Sequence, residues 1–143
     1  MEAKKLRLKV ITPVGITLEE ECDAVYSQGV GGAFGILPGH IPMTTSLDYG
    51  VTKYIKNGEE HYLTTLGGIF QVENNEVTIL SDAAERGEDI DVAMANAEKE
   101  RAEAMLTQNL QDDIVMDAAQ ASLAKALARL KVATKINSKN KYR

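Results

Sequence analysis

The sequence contains no tryptophan, one cysteine, two histidines and three prolines in its 143 residues. Each scarcity excludes something. A single thiol, Cys22, cannot close an internal disulfide. It fits a reducing compartment and reads as a passive strand residue. His40 and His61 with one cysteine make no Cys/His cluster for zinc, so no metal site is expected. Basic residues are not in excess: 16 Lys and Arg stand against 21 Asp and Glu, a net charge of −5. That argues against a dedicated nucleic-acid binder, which needs a basic face to neutralise phosphate. No apolar run approaches the ~20 residues of a membrane span, so no direct membrane insertion is expected. Met1 to Lys9 is basic without an apolar stretch, and no signal peptide is expected. There is no Gly-x-x-x-x-Gly-Lys-Ser/Thr loop and no Gly-x-Gly-x-x-Gly before a helix. Ser27 and Ser46 lack a nucleophile signature. The chain offers no enzyme constellation of its own.

What is present is unevenly distributed. Ten of the 11 glycines, all three prolines and six of the seven aromatic residues precede Glu85. A turn-rich β region followed by a helical one is the reading this shift supports. Leu6, Leu8 and Val10 alternate with Arg7 and Lys9 over Lys5 to Ile11, a half-buried strand. Further strands are expected at Ile16 to Glu21, Asp23 to Gln28, Met43 to Leu47, Val51 to Lys56, Glu59 to Thr65, Ile69 to Glu73 and Glu76 to Leu80. Turns are expected at Thr12 to Gly15, Asp48 to Gly50 and Asn74-Asn75, and a bend or bulge at Leu66 to Gly68. Asn57-Gly58 is the strongest hairpin signal, because a type I′ turn needs φ > 0 at both central positions. Gly31 to Pro42 packs four glycines and two prolines around Phe34, Ile36 and Leu37. It reads as a rigid corner, with those three side chains anchored in a core and a Pro-Gly turn exposing His40. The whole is predicted to be α+β: a β-sandwich or flattened barrel of about ten short strands over residues 1–84, then an antiparallel two-helix hairpin over 85–133. The basic, polar residues 134–143 are expected to fray.

In the helical region Asp89 is the expected cap, with Ile90 and Asp91 in the first turn. Ile90, Met94, Ala97 and Arg101 share one face, with Glu98, Lys99, Glu100 and Glu103 opposite. Thr107-Gln108-Asn109 forms the break, and Asp112 or Asp113 caps a second helix striped by Met116, Ala119, Leu123, Leu127 and Leu130. Two alanine-rich helices bury little surface, so they are stable only when docked and can exchange one surface for another. Lys125 and Arg129, spaced i, i+4, share a side of the second helix. With Arg101 they would converge on a phosphate chain if the helices fold back, and Asp91 would accept from an adenine amino group or ribose. As alternatives, Asp91 serves the helix dipole and the three cations are solvated. His40 reads as a turn histidine bonding backbone locally, and His61 as structural; a hydrolase built on His40 would need a partner the sequence does not offer.

Gly-x-x-Gly-Ile-Leu-Pro-Gly-His-x-Pro at Gly32 to Pro42, Leu66-Gly67-Gly68-Ile69-Phe70-Gln71-Val72, Val77-Thr78-Ile79-Leu80, Ala84-Glu85-Arg86 and Glu88-Asp89-Ile90-Asp91 together closely resemble the epsilon subunit of the rotary F-type ATP synthase, bacterial type. The resemblance covers essentially Leu6 to Ala133. It implies a non-catalytic rotor subunit on the cytoplasmic face of the cell membrane, peripheral to it. The sandwich would bind the gamma subunit and sit on the c-ring through positions matching Ala33, Gly35, His40 and Pro42. The hairpin would extend toward the alpha and beta subunits and inhibit ATP hydrolysis, with Lys125, Arg129 and Lys131 meeting beta. The nucleotide site of ATP-binding members falls on Glu85, Ile90, Asp91, Met94, Arg101, Lys125 and Arg129. Ala33 stands where the corner usually carries an acidic residue. Met94 stands where the nucleotide motif carries arginine, and a thioether cannot donate to phosphate. Losing one charged bond costs ~1.5–3 kcal/mol, so no cofactor is required and ATP is expected to be at most a weak regulatory ligand. An ATP-sensing binding module is the alternative.

Overall fold

Alternation builds the first half of the molecule, seen in a computed structural model that describes residues 4–108 and 112–141. Eight strands are present among the described residues: β1 (Leu6–Thr12), β2 (Gly15–Cys22), β3 (Ala24–Gly29), β4 (Gly32–Ile36), β5 (Met43–Lys56), β6 (Glu59–Glu73), β7 (Glu76–Leu80) and β8 (Ala84–Arg86). They form one mixed sheet in the order β2-β1-β7-β6-β5-β3-β4, with β8 paired to β6. Only β1 and β7 run parallel. The two long central strands, 14 and 15 residues, let one sheet fold into both layers of a sandwich. Leu6, Leu8, Val10, Leu18, Val25, Ile36, Leu63, Phe70, Val72, Val77 and Ile79 fill the space between the layers, each 2% exposed or less. Phe34 closes it with an edge-on contact to Phe70, ring centroids 4.8 Å apart.

The strands are fewer and longer than the expected ten. Asp48 to Gly50 carries turn residues but lies inside β5, where Tyr49 pairs with Leu66 and Gly50 with Thr65. Leu66 to Gly68 bends without a bulge: the β5–β6 register is unbroken from Met43↔Val72 to Lys56↔Glu59. The bend is taken up by Gly67 and Gly68 at φ 79° and 119°. A Cβ at Gly68 would strike the Leu80 carbonyl, so only glycine lets β6 pass there. Asn57-Gly58 makes the expected turn with φ 53° and 78°. The Gly31 to Pro42 corner is half strand, since Gly32 to Ile36 is β4. Ile36 is buried and Phe34 packs on the core, but Leu37 is 57% exposed. It leaves the strand at the Pro38-Gly39 turn, where the His40 N–H donates to its carbonyl at 3.2 Å.

Helix α1 (Val92–Gln108) begins later than expected. Gly87–Asp89 forms a single 3-10 turn and Ile90 stays extended at φ −78°, ψ 125°. Asp91, not Asp89, is the cap: its Oδ1 accepts the Met94 N–H at 3.0 Å. The buried face is also rotated from the one expected. Ala95 and Ala102 are buried while Met94 is 60% exposed. Helix α2 (Asp113–Lys141) is capped by Asp112, whose Oδ1 accepts from Ile114 and Val115 at 3.1 and 3.2 Å. Its buried positions are Ala119, Ala126, Ala128, Val132 and Ala133, whereas Leu127 of the expected stripe is 46% exposed. The helix continues past Ala133 to Lys141. Packing explains this: Ile136 reaches Gly87, and the Lys135 ammonium lies 5.9 Å from the Tyr62 ring centre. Asn109 of the expected break and Tyr142 and Arg143 of the tail lie outside the described residues.

Candidate functional site

The sheet and the hairpin meet at Glu85. Strand β8 places it: Thr64 and Glu85 are register partners, and the buried Thr64 hydroxyl accepts the Glu85 N–H at 3.1 Å. The sheet residue thus projects its carboxylate toward the helices. Arg129 of α2 meets it, Nε to Oε1 at 2.5 Å, and also holds Glu98 of α1, Nη1 to Oε2 at 2.7 Å. Glu98 sits between Ala95 and Ala102, and Arg129 between Ala126 and Ala133, so all three charges are partly buried among alanines. Charge-assisted bonds in such a setting are stronger than their solvent-exposed equivalents.

Arg129 also divides two cavities. One, about 180 Å³, is lined by Glu85, Asp89, Asp91, Met94, Ala95, Glu98 and Arg129. Four carboxylates around one guanidinium make it acidic, a poor match for polyphosphate. The other, about 330 Å³, lies between the helices and includes Glu98, Arg101, Ser122, Lys125 and Arg129. The structure therefore brings Arg101, Lys125 and Arg129 to one groove and Asp91 and Met94 to its neighbour, while Ile90 lines neither. Lys131 is exposed and lines a third, open groove between α2 and the outer sheet face. The face shared by Ile90, Met94, Ala97 and Arg101 puts Glu98 on the opposite side, whereas the structure half-buries it. Its spacing, three residues after Ala95 and four before Ala102, is the signal that it belongs to the buried face.

The remaining candidates are spread over the sandwich. Ala33 and Gly35 are exposed on the edge strand β4, and Gly35 lies under the Tyr26 ring. His40 is half-buried with Nδ1 2.7 Å from the Ile41 carbonyl, and Pro42 is exposed. The Gly39 N–H donates to Asn75 Oδ1 at 2.7 Å, which ties this crossover to the β6–β7 turn. His61 stacks on Tyr54 at 5.0 Å. Cys22 is fully buried, and burial, with Asp23 adjacent, pushes its thiol up to about 11. Ile16 pairs with Ile11, Ile11 with Leu80, and Leu80 with Ile69. Directly paired residues share a face, so these four make an apolar row across β2, β1, β7 and β6. Leu80, Ile69 and Ile16 are 46%, 47% and 56% exposed, on the side opposite the core.

Two family models match nearly the whole length: the ATP synthase delta/epsilon chain β-sandwich domain over residues 5–87, and the long α-helix domain of the same chain over residues 88–134. The ATP synthase epsilon chain of Nitratidesulfovibrio vulgaris is 42% identical over 129 residues, covering 90% of this chain and 96% of that one. That of Desulfitobacterium hafniense is 43% identical over 88% and 94% of the two chains, and that of Geobacter metallireducens 39% over 96% and 99%. Among solved structures, a chain of the Euglena gracilis mitochondrial ATP synthase OSCP/F1/c-ring assembly shares the fold with TM-score 0.79 and 21% identity, over 92% of this chain and 82% of that one. A chain of the Tetrahymena thermophila central stalk/c-ring gives TM-score 0.60 at 15% identity, over 93% and 99%. With both domains and the full-length relatives in agreement, this chain belongs to the epsilon chains of the ATP synthase delta/epsilon family.

Proposed function

We propose that this chain is a non-catalytic rotor subunit: its sandwich couples the gamma subunit to the c-ring, and its hairpin inhibits ATP hydrolysis by reaching toward alpha and beta. The site of action is the cytoplasmic face of the membrane, without insertion; no helix among the described residues is long and apolar enough to cross. The observation that carries the coupling role is the apolar row of Ile16, Ile11, Leu80 and Ile69. Three branched side chains left in water on a sheet face, with half-buried Ile11 between them, are the pattern of a docking surface. The hairpin packs over the other layer, against Tyr62 and Gly87, so this row is free for a partner whatever the hairpin does. Ala33, Gly35, His40 and Pro42 lie on β4 and the crossover after it, a second surface suited to the ring.

The inhibitory role has separate support. Among the described residues, the core cluster contains strand side chains only. The hairpin buries mostly alanines, at about 0.8 kcal/mol per methyl against about 1.5–3 for a large core side chain. Such a contact can be exchanged for another surface. Lys125, Arg129 and Lys131 would then present a cationic stripe to acidic beta. ATP is at most a weak ligand here, because Met94 supplies no donor and the adjoining cavity is acidic. The test is co-purification with gamma. Leu80→Glu is expected to abolish it, and a full yield of the complex with that variant removes the row from the coupling role. Independently, a chain ending at Glu88 is expected to raise ATP hydrolysis by the reconstituted enzyme, and unchanged hydrolysis removes inhibition.

A further inference from the structure

We infer that Arg129 is the latch of the folded hairpin: its paired bonds to Glu85 on the sheet and Glu98 on α1 lock α1, α2 and β8 in one register without a bound nucleotide. This rests on the reading that the hairpin leaves the sandwich, and it names the contact that must break first. Alanine packing cannot supply the register. Ala118, Ala119, Ala121, Ala124, Ala126 and Ala128 leave α2 nearly as apolar and smooth one turn along as in place. Dispersion and burial are non-directional, whereas a guanidinium fork fits its carboxylates in one geometry. Arg129 joins hairpin to sheet through Glu85 and joins the two helices through Glu98. The Lys135–Tyr62 contact at 5.9 Å is looser. The same guanidinium is the wall between the acidic and cationic cavities. An anion entering beside Arg101 and Lys125 would have to draw Arg129 away from two carboxylates, so anion binding there opposes the latch.

Amide hydrogen exchange on the full chain reads the latch directly. Arg129→Gln is expected to lower protection across Val92–Gln108 at least ~10-fold, the low end for a part-buried charge pair losing one partner, while β1 and β7 amides hold. Glu85→Gln with Arg129→Gln should lose less than the sum of the two single changes, since the double variant no longer strands a charge at position 85. Raising NaCl from about 0.05 to about 1 M should lower helix protection more in the unmodified chain than in Arg129→Gln, because only the former has the Arg129 pairs to screen. Additive losses, equal salt dependence in both proteins, or millimolar ATP raising helix protection would each overturn the inference. These readouts use the isolated chain, so they stand apart from hydrolysis by the assembled enzyme, which tests inhibition itself.

Discussion

Cys22 and Met94 show what single positions can do. Cys22 carries no chemistry. Burial raises its thiol from 9.0 to about 11, with Asp23 adding to the shift. Below pH 9.0 the thiol is protonated in both states and this contribution is fully present. Between 9.0 and about 11 the unfolded chain gives up the proton first, so stability falls as pH rises through that window. Two pKa units correspond to on the order of 2–3 kcal/mol. Cys22→Ala should flatten this part of the urea-midpoint profile between pH 8.5 and about 11, at its own packing cost, and an unchanged slope would remove the thiol as the cause. Tyr62, pushed up to about 12 by burial and by its bond to Glu60, should continue the loss at higher pH. At position 94 the side chain is 60% exposed at the lip of the acidic cavity. Calorimetry should find no micromolar ATP site, and Met94→Arg should tighten binding several-fold by adding a donor and cancelling one carboxylate. No change would mean that the nucleotide, if it binds, sits elsewhere.

At the scale of elements, α2 is the informative one. It is 29 residues, ~43 Å of helix, and touches the sheet chiefly through its second half. Gly87 makes that approach possible. A Cβ there would strike Ile136, and would stand 3.1 Å from both Val132 Cγ1 and the Tyr62 carbonyl. Gly87→Ala should therefore push α2 off the sheet at a cost of about 1–3 kcal/mol in docking. Exchange protection in the C-terminal half of α2 reports it. The sheet should keep its melting midpoint, and a parallel fall in both would mean that α2 is part of the sandwich fold. The strands carry a matching lesson. Asp48 and Gly50 look like turn residues, yet β5 runs straight through them because β6 offers partners on both sides of the bend. Tertiary pairing overrides local propensity wherever both neighbours are supplied.

For the whole molecule, separability matters most. The fourteen buried side chains of the core cluster all belong to strands that end at Leu80. A chain ending at Glu88 should thus melt cooperatively, with a midpoint within a few degrees of the intact protein's by circular dichroism. Loss of a cooperative transition would show that the helices complete the core. The two outer faces of the sandwich then divide the work: one carries the hairpin, the other the apolar row. The proposed coupling and inhibition would use that arrangement, since a platform held on its free face could release the helices without losing its partner.

The sequence alone determined the division into a strand region and a helical one, the type I′ turn at Asn57-Gly58, the inward set Leu6, Leu8 and Val10, and a helix cap at Asp112 or Asp113. These are local matters, governed by periodicity of two or 3.6 and by φ preferences within a few residues. The family was legible for a related reason: its glycine-and-proline blocks encode backbone geometry that few other sequences share. The tertiary structure alone decided which face of α1 is buried, because Ala95, Ala97 and Ala102 are equally apolar and only the neighbouring helix chooses among them. It turned Leu37 outward, carried α2 past Ala133 onto Gly87, aligned Ile16, Ile11, Leu80 and Ile69 across four strands, and joined Glu85, Glu98 and Arg129 from three elements. Each of these depends on register between distant segments, and register is fixed by long-range pairing, which no window of sequence contains.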